Sequence, residues 1–209
     1  MVDVFQKITT ELVNKGKRII GINGVDTSGK TVFTNNYSQF LTSCGIKNEI
    51  IHIDDFHNLR EIRATGENEI DAYYDNAFNY KQIISELLEP LRKGEVVDKD
   101  VLCLNLDTDK YENLIHYRID SQTIVLLEGT LLFRPPIDKY IDGKVFLHVD
   151  FEEVLKRATI RDVPKYGESF LEKYRLKYIP IQKRYIQEHK PKEQCDIFID
   201  NNDYSNPRV

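Results

Sequence analysis

The chain has 209 residues, 41% of them hydrophobic and 30% charged, which suits one α/β domain with a sizeable core. A net charge of −5 with no block of Lys or Arg argues against an electrostatic nucleic-acid footprint. No apolar run reaches the roughly 18 residues of a membrane span, and the N-terminus carries no signal-peptide pattern. The three cysteines, Cys44, Cys103 and Cys195, are odd in number and far apart, so reduced thiols in a cytoplasmic protein are expected.

Phe5, Ile8, Leu12 and Val13 have helical spacing and predict a helix over residues 1–15. Ile19 to Ile22 reads as a buried strand. The loop Gly24-Val25-Asp26-Thr27-Ser28-Gly29-Lys30-Thr31 then fits G-x-x-x-x-G-K-[ST]. A helical period follows and ends near Cys44-Gly45. Strand, glycine loop and helix in this order make a phosphate cradle. Loop amides and the helix N-terminus point at one spot, Lys30 reaches the β- and γ-phosphates, and the Thr31 hydroxyl ligates magnesium.

Glu49–Ile53 predicts a second strand, running into Asp54, Asp55, Phe56 and His57. Carboxylates at the carboxyl end of such a strand sit where an open α/β sheet keeps its ligands. They can take a proton from a substrate hydroxyl or hold magnesium-bound water. Residues 59–79 are polar and aromatic without a clear period, and predict an irregular segment beside the pocket. Residues 80–93 predict a helix and residues 101–106 one arm of a hairpin or an insertion.

Ile124–Glu128 is an apolar strand tipped by an acid, suited to orienting magnesium through water. Val145–Val149 is another buried strand, and Phe151–Ile160 a helix on which Arg157 and Arg161 share one face. Those arginines are placed to close over transferring phosphates as a lid. Phe170, Tyr174, Tyr178, Ile181 and Tyr185 form a stripe read as core packing, on a helix that Pro180 should kink. Residues 195–200 predict the last strand. No Asn-Lys-x-Asp guanine pattern follows a strand, which speaks against a nucleotide-operated switch.

The loop GVDTSGKT, the IDDF segment, DNAFN, LLEGTLLF, RATIRD and the tail KYIPIQKRY…CDIFIDNNDYSNP together resemble the uridine kinase and phosphoribulokinase group of P-loop kinases. The resemblance covers most of the length. It implies a three-layer P-loop NTPase fold over residues 1–209: a mostly parallel sheet flanked by helices, a hairpin, and a small lid at 157–170. It implies ATP as donor, magnesium as cofactor and a small-molecule hydroxyl as acceptor, most often that of uridine or cytidine; a homo-oligomer is compatible with it.

By resemblance, Asp54 activates the acceptor hydroxyl and adjoins the metal, Lys30 and Thr31 serve phosphate and magnesium, and Glu128 is the second metal-site acid. Arg157 and Arg161 are lid arginines, and Asn202 belongs to a tail near the adenine. Asp55, His57, Tyr73, Tyr74 and Phe78 fall in the acceptor region. The acid that grips ribose in the family falls at Tyr73, the hairpin Tyr and His at Leu106 and Tyr111, and a further lid arginine near Lys165 and Tyr166. Another acceptor, such as pantothenate, nicotinamide riboside or a sugar, is the alternative reading.

Overall fold

The computed structural model describes residues 1–209. Helix α1 (Val2–Glu11) leads through a short turn to β1 (Ile19–Gly24), and α2 (Lys30–Ser43) follows the glycine loop. Then come β2 (Asn48–His52) and the short helices α3 (Arg60–Arg63) and α4 (Glu69–Asn76). Helices α5 (Tyr80–Ile83) and α6 (Glu89–Arg92) are joined by a π-helical turn. The antiparallel hairpin β3 (Val97–Asn105) and β4 (Lys110–Ile119) precedes β5 (Ile124–Gly129) and β6 (Gly143–His148). The C-terminal part holds α7 (Phe151–Arg161), α8 (Val163–Tyr166), α9 (Phe170–Lys173), α10 (Ile179–His189), α11 (Pro191–Gln194) and β7 (Ile197–Asp200).

Five parallel strands lie in the order β2-β5-β1-β6-β7, and the hairpin stands apart. Side chains alternate across the sheet because strand residues have period two. Ile20, Ile22, Leu126, Val145 and Leu147 pack against α1 and α2. Ile19, Val125 and Leu127 face the opposite layer, which also holds the hairpin's Val101, Cys103 and Tyr117. Each fully buried Ile or Leu here contributes roughly 1.5–3 kcal/mol. Near-continuous apolar strands with helices on both faces are what an all-parallel sheet requires. The result is the α/β three-layer P-loop NTPase arrangement, with the strand order changing direction around β1.

Three segments add to or depart from the sequence reading. Residues 59–79 are not irregular throughout: Asn68 caps α4 by accepting from the amides of Ile70 and Asp71. The hairpin has a second arm that the sequence reading did not identify; Tyr117 and Ile119 point inward while His116 and Arg118 are exposed. Pro180, expected to kink its helix, stands in the first turn of α10. A π-helical turn at Tyr174–Tyr178 directly precedes it and accommodates the residue that lacks an N–H, and the same device precedes Pro90.

Candidate active site

The end of β1 positions the phosphate loop. A Cβ at Gly24 would sit 2.6 Å from the Leu147 carbonyl oxygen and 2.7 Å from Ser28 Oγ, so only glycine passes there. Gly29 has φ of +85°, the left-handed backbone that lets the chain turn into α2. The amides of Thr27, Gly29, Lys30 and Thr31 have no acceptor within the protein, and Ser28 Oγ is buried without a partner. Orphaned donors at a helix N-terminus fit a polyphosphate chain. Lys30 is 8% exposed, and its Nζ donates to the Val25 carbonyl at 2.9 Å. The Asp26 amide is already used, donating to Gln182 Oε1 at 3.0 Å.

Behind the loop, Arg157 fastens it to the tail. Its guanidinium donates to the carbonyls of Asn201 (2.7 Å) and Asn202 (2.9 Å), and more weakly to those of Thr27 (3.3 Å) and Ser28 (3.5 Å). Asn201 Nδ2 adds a 2.7 Å bond to the Ser28 carbonyl. The Asn202 side chain is engaged locally, accepting from the Asp150 amide and donating to Asp200.

The neighbouring strand β5 ends in Glu128, which is buried. Thr31 Oγ1 donates to Glu128 Oε1 at 3.4 Å, and His52 Nδ1 lies 2.7 Å from Glu128 Oε2. His52 and Glu128 are register partners across β2 and β5. The hydrogen bond to Glu128 raises the His52 pKa above its usual value, against the opposing effect of burial. Thr31 and Glu128 form a hydroxyl-carboxylate pair beside the loop, and oxygen donors of this kind suit magnesium.

Beyond β2, a 3₁₀ turn (Ile53–Phe56) presents Asp54 to an open cleft of about 900 Å³. Asp26, His57, Tyr73, Arg161 and Tyr178 line the same cleft. His57 Nδ1 lies 2.7 Å from the Asp54 carbonyl, which can only accept, so Nδ1 carries the proton. Nε2 then accepts from the Tyr73 hydroxyl at 3.3 Å. Burial pushes the His57 pKa down, against the opposing effect of Asp54, and the Tyr73 pKa well up, which favours the neutral ring and the protonated phenol. Arg161 pairs with Asp162 at 2.8 Å and donates to the Tyr174 hydroxyl at 2.9 Å.

The structure thus brings Asp26, Asp54, His57, Tyr73 and Arg161 to one opening, while Lys30, Thr31 and Glu128 belong to the phosphate loop and the adjoining strand end. Four expected site residues turn elsewhere. Tyr74 lies under the guanidinium groups of Arg134 (4.2 Å) and Arg184 (4.0 Å), with its hydroxyl on Glu188, because it occupies the core-facing side of α4. Phe78 is buried behind the His57 ring, 4.6 Å between centroids, and backs the site without reaching it. Asp55 is half-buried outside the cleft, and its charge is felt by His52 and by Tyr117 of the hairpin. Arg157 sits beneath the loop, held by carbonyls, and not over the cleft.

Sequence reasoning missed His52, whose signal was its place opposite Glu128 in a parallel pair. It also missed Tyr174 and Tyr178, read as core. They are packed on one side, but Tyr174 donates to Asp162 at 2.6 Å and both border the cleft. Arg63, Lys173, Lys177 and Leu106 border it too.

Known proteins resemble this chain throughout. "Uridine kinase" of Clostridium perfringens is 29% identical over 195 residues, covering 86% of this chain and 85% of the relative. "Uridine kinase-like protein 4" of Arabidopsis thaliana is 29% identical over 160 residues, and the chain spans about a third of that longer protein. The solved "Structure of a Possible Uridine Kinase from Bacillus stearothermophilus" superposes with a TM-score of 0.69 at 22% identity, covering 94% of this chain and 96% of the other. That likeness shows the shared fold. Residues 19–201 match the Phosphoribulokinase / Uridine kinase family, and the chain belongs to it.

Proposed function

We propose that the chain is a kinase that moves the γ-phosphoryl of ATP to a hydroxyl of a small molecule, with the 5′-hydroxyl of uridine or cytidine as its acceptor. One observation carries the reading: the loop that holds the unpartnered amides and Lys30 contributes Asp26 to the same cleft that the exposed Asp54 lines. Anion-binding groups and a proton acceptor in one opening suit phosphoryl transfer to an alcohol. The nucleoside assignment draws on the names of the relatives.

In this reading the amides of Thr27, Gly29, Lys30 and Thr31 hold the phosphates. Lys30 leaves the Val25 carbonyl to neutralise charge on the transferring group. Thr31 and Glu128, together with Asp54, would hold magnesium, which when bound would supply further neutralisation of phosphate charge. Asp54 orients the acceptor hydroxyl and takes its proton. His57, fixed between the Asp54 carbonyl and Tyr73, keeps the turn carrying Asp54 in place. Arg161, at the start of a lid over residues 157–170, faces the transferring group. Positioning and fixed charge supply most of the catalysis.

A second reading keeps the chemistry and changes the acceptor to pantothenate, nicotinamide riboside or a sugar. It is favoured by Tyr73, whose hydroxyl is committed to His57 where the family's ribose-gripping acid would stand. A screen of nucleosides, vitamins and sugars with magnesium, ATP and an ADP readout tests both readings. ADP release dependent on uridine or cytidine supports the first, and dependence on another alcohol alone supports the second. ATP affinity without acceptor-dependent turnover would contradict both.

A further inference from the structure

Asp26 is an acid inside a loop built to hold anions. Its amide is consumed by Gln182, so this residue does not join the four free amides that cradle phosphate. Its side chain lines the acceptor cleft with Asp54, His57, Tyr73 and Tyr178. Neither nearby cation closes on it: Lys30 is turned to the Val25 carbonyl and Arg161 to Asp162. Burial above all, and then the charge of Asp54, push its carboxyl pKa up, against the opposing pull of Lys30, Arg161 and a hydrogen bond to Gln182. A carboxylate aimed at a triphosphate would be repelled by it. As a lining group of the cleft that Asp54 also lines, it is available to an acceptor.

We propose that the Asp26 carboxylate binds the acceptor, accepting a hydrogen bond from a second hydroxyl while Asp54 takes the reacting one. A ligand that gives one hydroxyl proton to a hydrogen bond with Asp26 and another to Asp54 must bring at least two donors. The substrate class is therefore a polyhydroxylated molecule, a ribose or related sugar ring being the simplest. This inference rests on the proposed kinase reading and deepens it. It makes Asp26 a specificity residue of the cleft that Tyr73 also lines.

The test compares wild type, Asp26→Asn and Asp26→Ser in two assays. The first is MgATP affinity by calorimetry. The second is kcat/KM with uridine, 2′-deoxyuridine, 3′-deoxyuridine, D-ribose and 2-deoxyribose. A charge-assisted hydrogen bond is worth about tenfold or more in specificity. Wild type should disfavour one deoxy form by about that factor, and both variants should lose most of the discrimination while KM for the full acceptor rises. MgATP affinity should stay within about threefold of wild type or tighten. Affinity for MgATP weakened by more than about tenfold, or undiminished discrimination in the variants, overturns the inference and leaves the kinase reading standing. Turnover only with acceptors bearing a single hydroxyl does the same. No turnover with any alcohol overturns both.

Discussion

Replacing Arg157 by Ala separates two roles that its sequence context leaves confounded. As a lid residue, Arg157 would contact transferring phosphates and its loss would fall on kcat alone. The structure instead gives it two well-formed bonds to tail carbonyls, two longer ones to loop carbonyls, and an ion pair with Glu153 at 3.1 Å. Hydrogen bonds from a charged donor contribute about 1.5–3 kcal/mol each. Counting only the two short ones at the low end gives about 3 kcal/mol, and the part-exposed ion pair adds less than about 1 kcal/mol. For a chain of this size that corresponds to a fall in Tm of roughly 6–12 °C. Differential scanning calorimetry of Arg157→Ala should show it, together with weaker ATP binding as the loop loosens. Arg157→Lys should recover little, since an ammonium cannot span four carbonyls. An unchanged Tm with a collapse of kcat alone would refute the reasoning and restore a lid role.

Lys30→Ala should cut turnover by at least about a hundredfold with the fold intact by circular dichroism, since Lys30 supplies charge stabilisation at the transferring group. Glu128→Gln should raise the magnesium concentration needed for half-maximal activity by at least about tenfold, and His52→Ala, which removes the 2.7 Å bond orienting Glu128, by a smaller factor in the same titration. The His57 pKa is lowered by burial, so below the unfolded value of about 6.5 the unfolded chain takes up a proton that the native ring resists. Urea midpoints should therefore fall as pH drops from about 7 towards 5, and His57→Gln should show a shallower decline than wild type; equal slopes would contradict the burial argument.

The parts of the fold legible in the sequence are those where one short signal determines the backbone. The run Ile19 to Gly24 can only be a buried strand, and the loop after it needs glycine where the Leu147 carbonyl and Ser28 crowd the chain. Asp54 and Glu128 were readable because each closes an apolar run. What stayed hidden depends on which way a side chain turns. Tyr73 and Tyr74 are adjacent in a helix, about 100° apart around its axis, so one meets His57 and the other Arg134. Arg157 and Arg161 share a helix face but lie about 6 Å apart along it. The first therefore sits behind the loop, and only the second reaches the cleft at the end of α7. The arm β4 escaped notice because its outward face carries His116 and Arg118, whose charges masked the alternation.

The most direct test of the phosphate loop and the strand-end acid working on one alcohol is the single-turnover rate of Asp54→Asn at saturating MgATP and acceptor. The rate should fall at least about a hundredfold while MgATP affinity holds within a few-fold, because Asn keeps the shape and loses the proton acceptor. A near-normal rate in that variant would contradict the account.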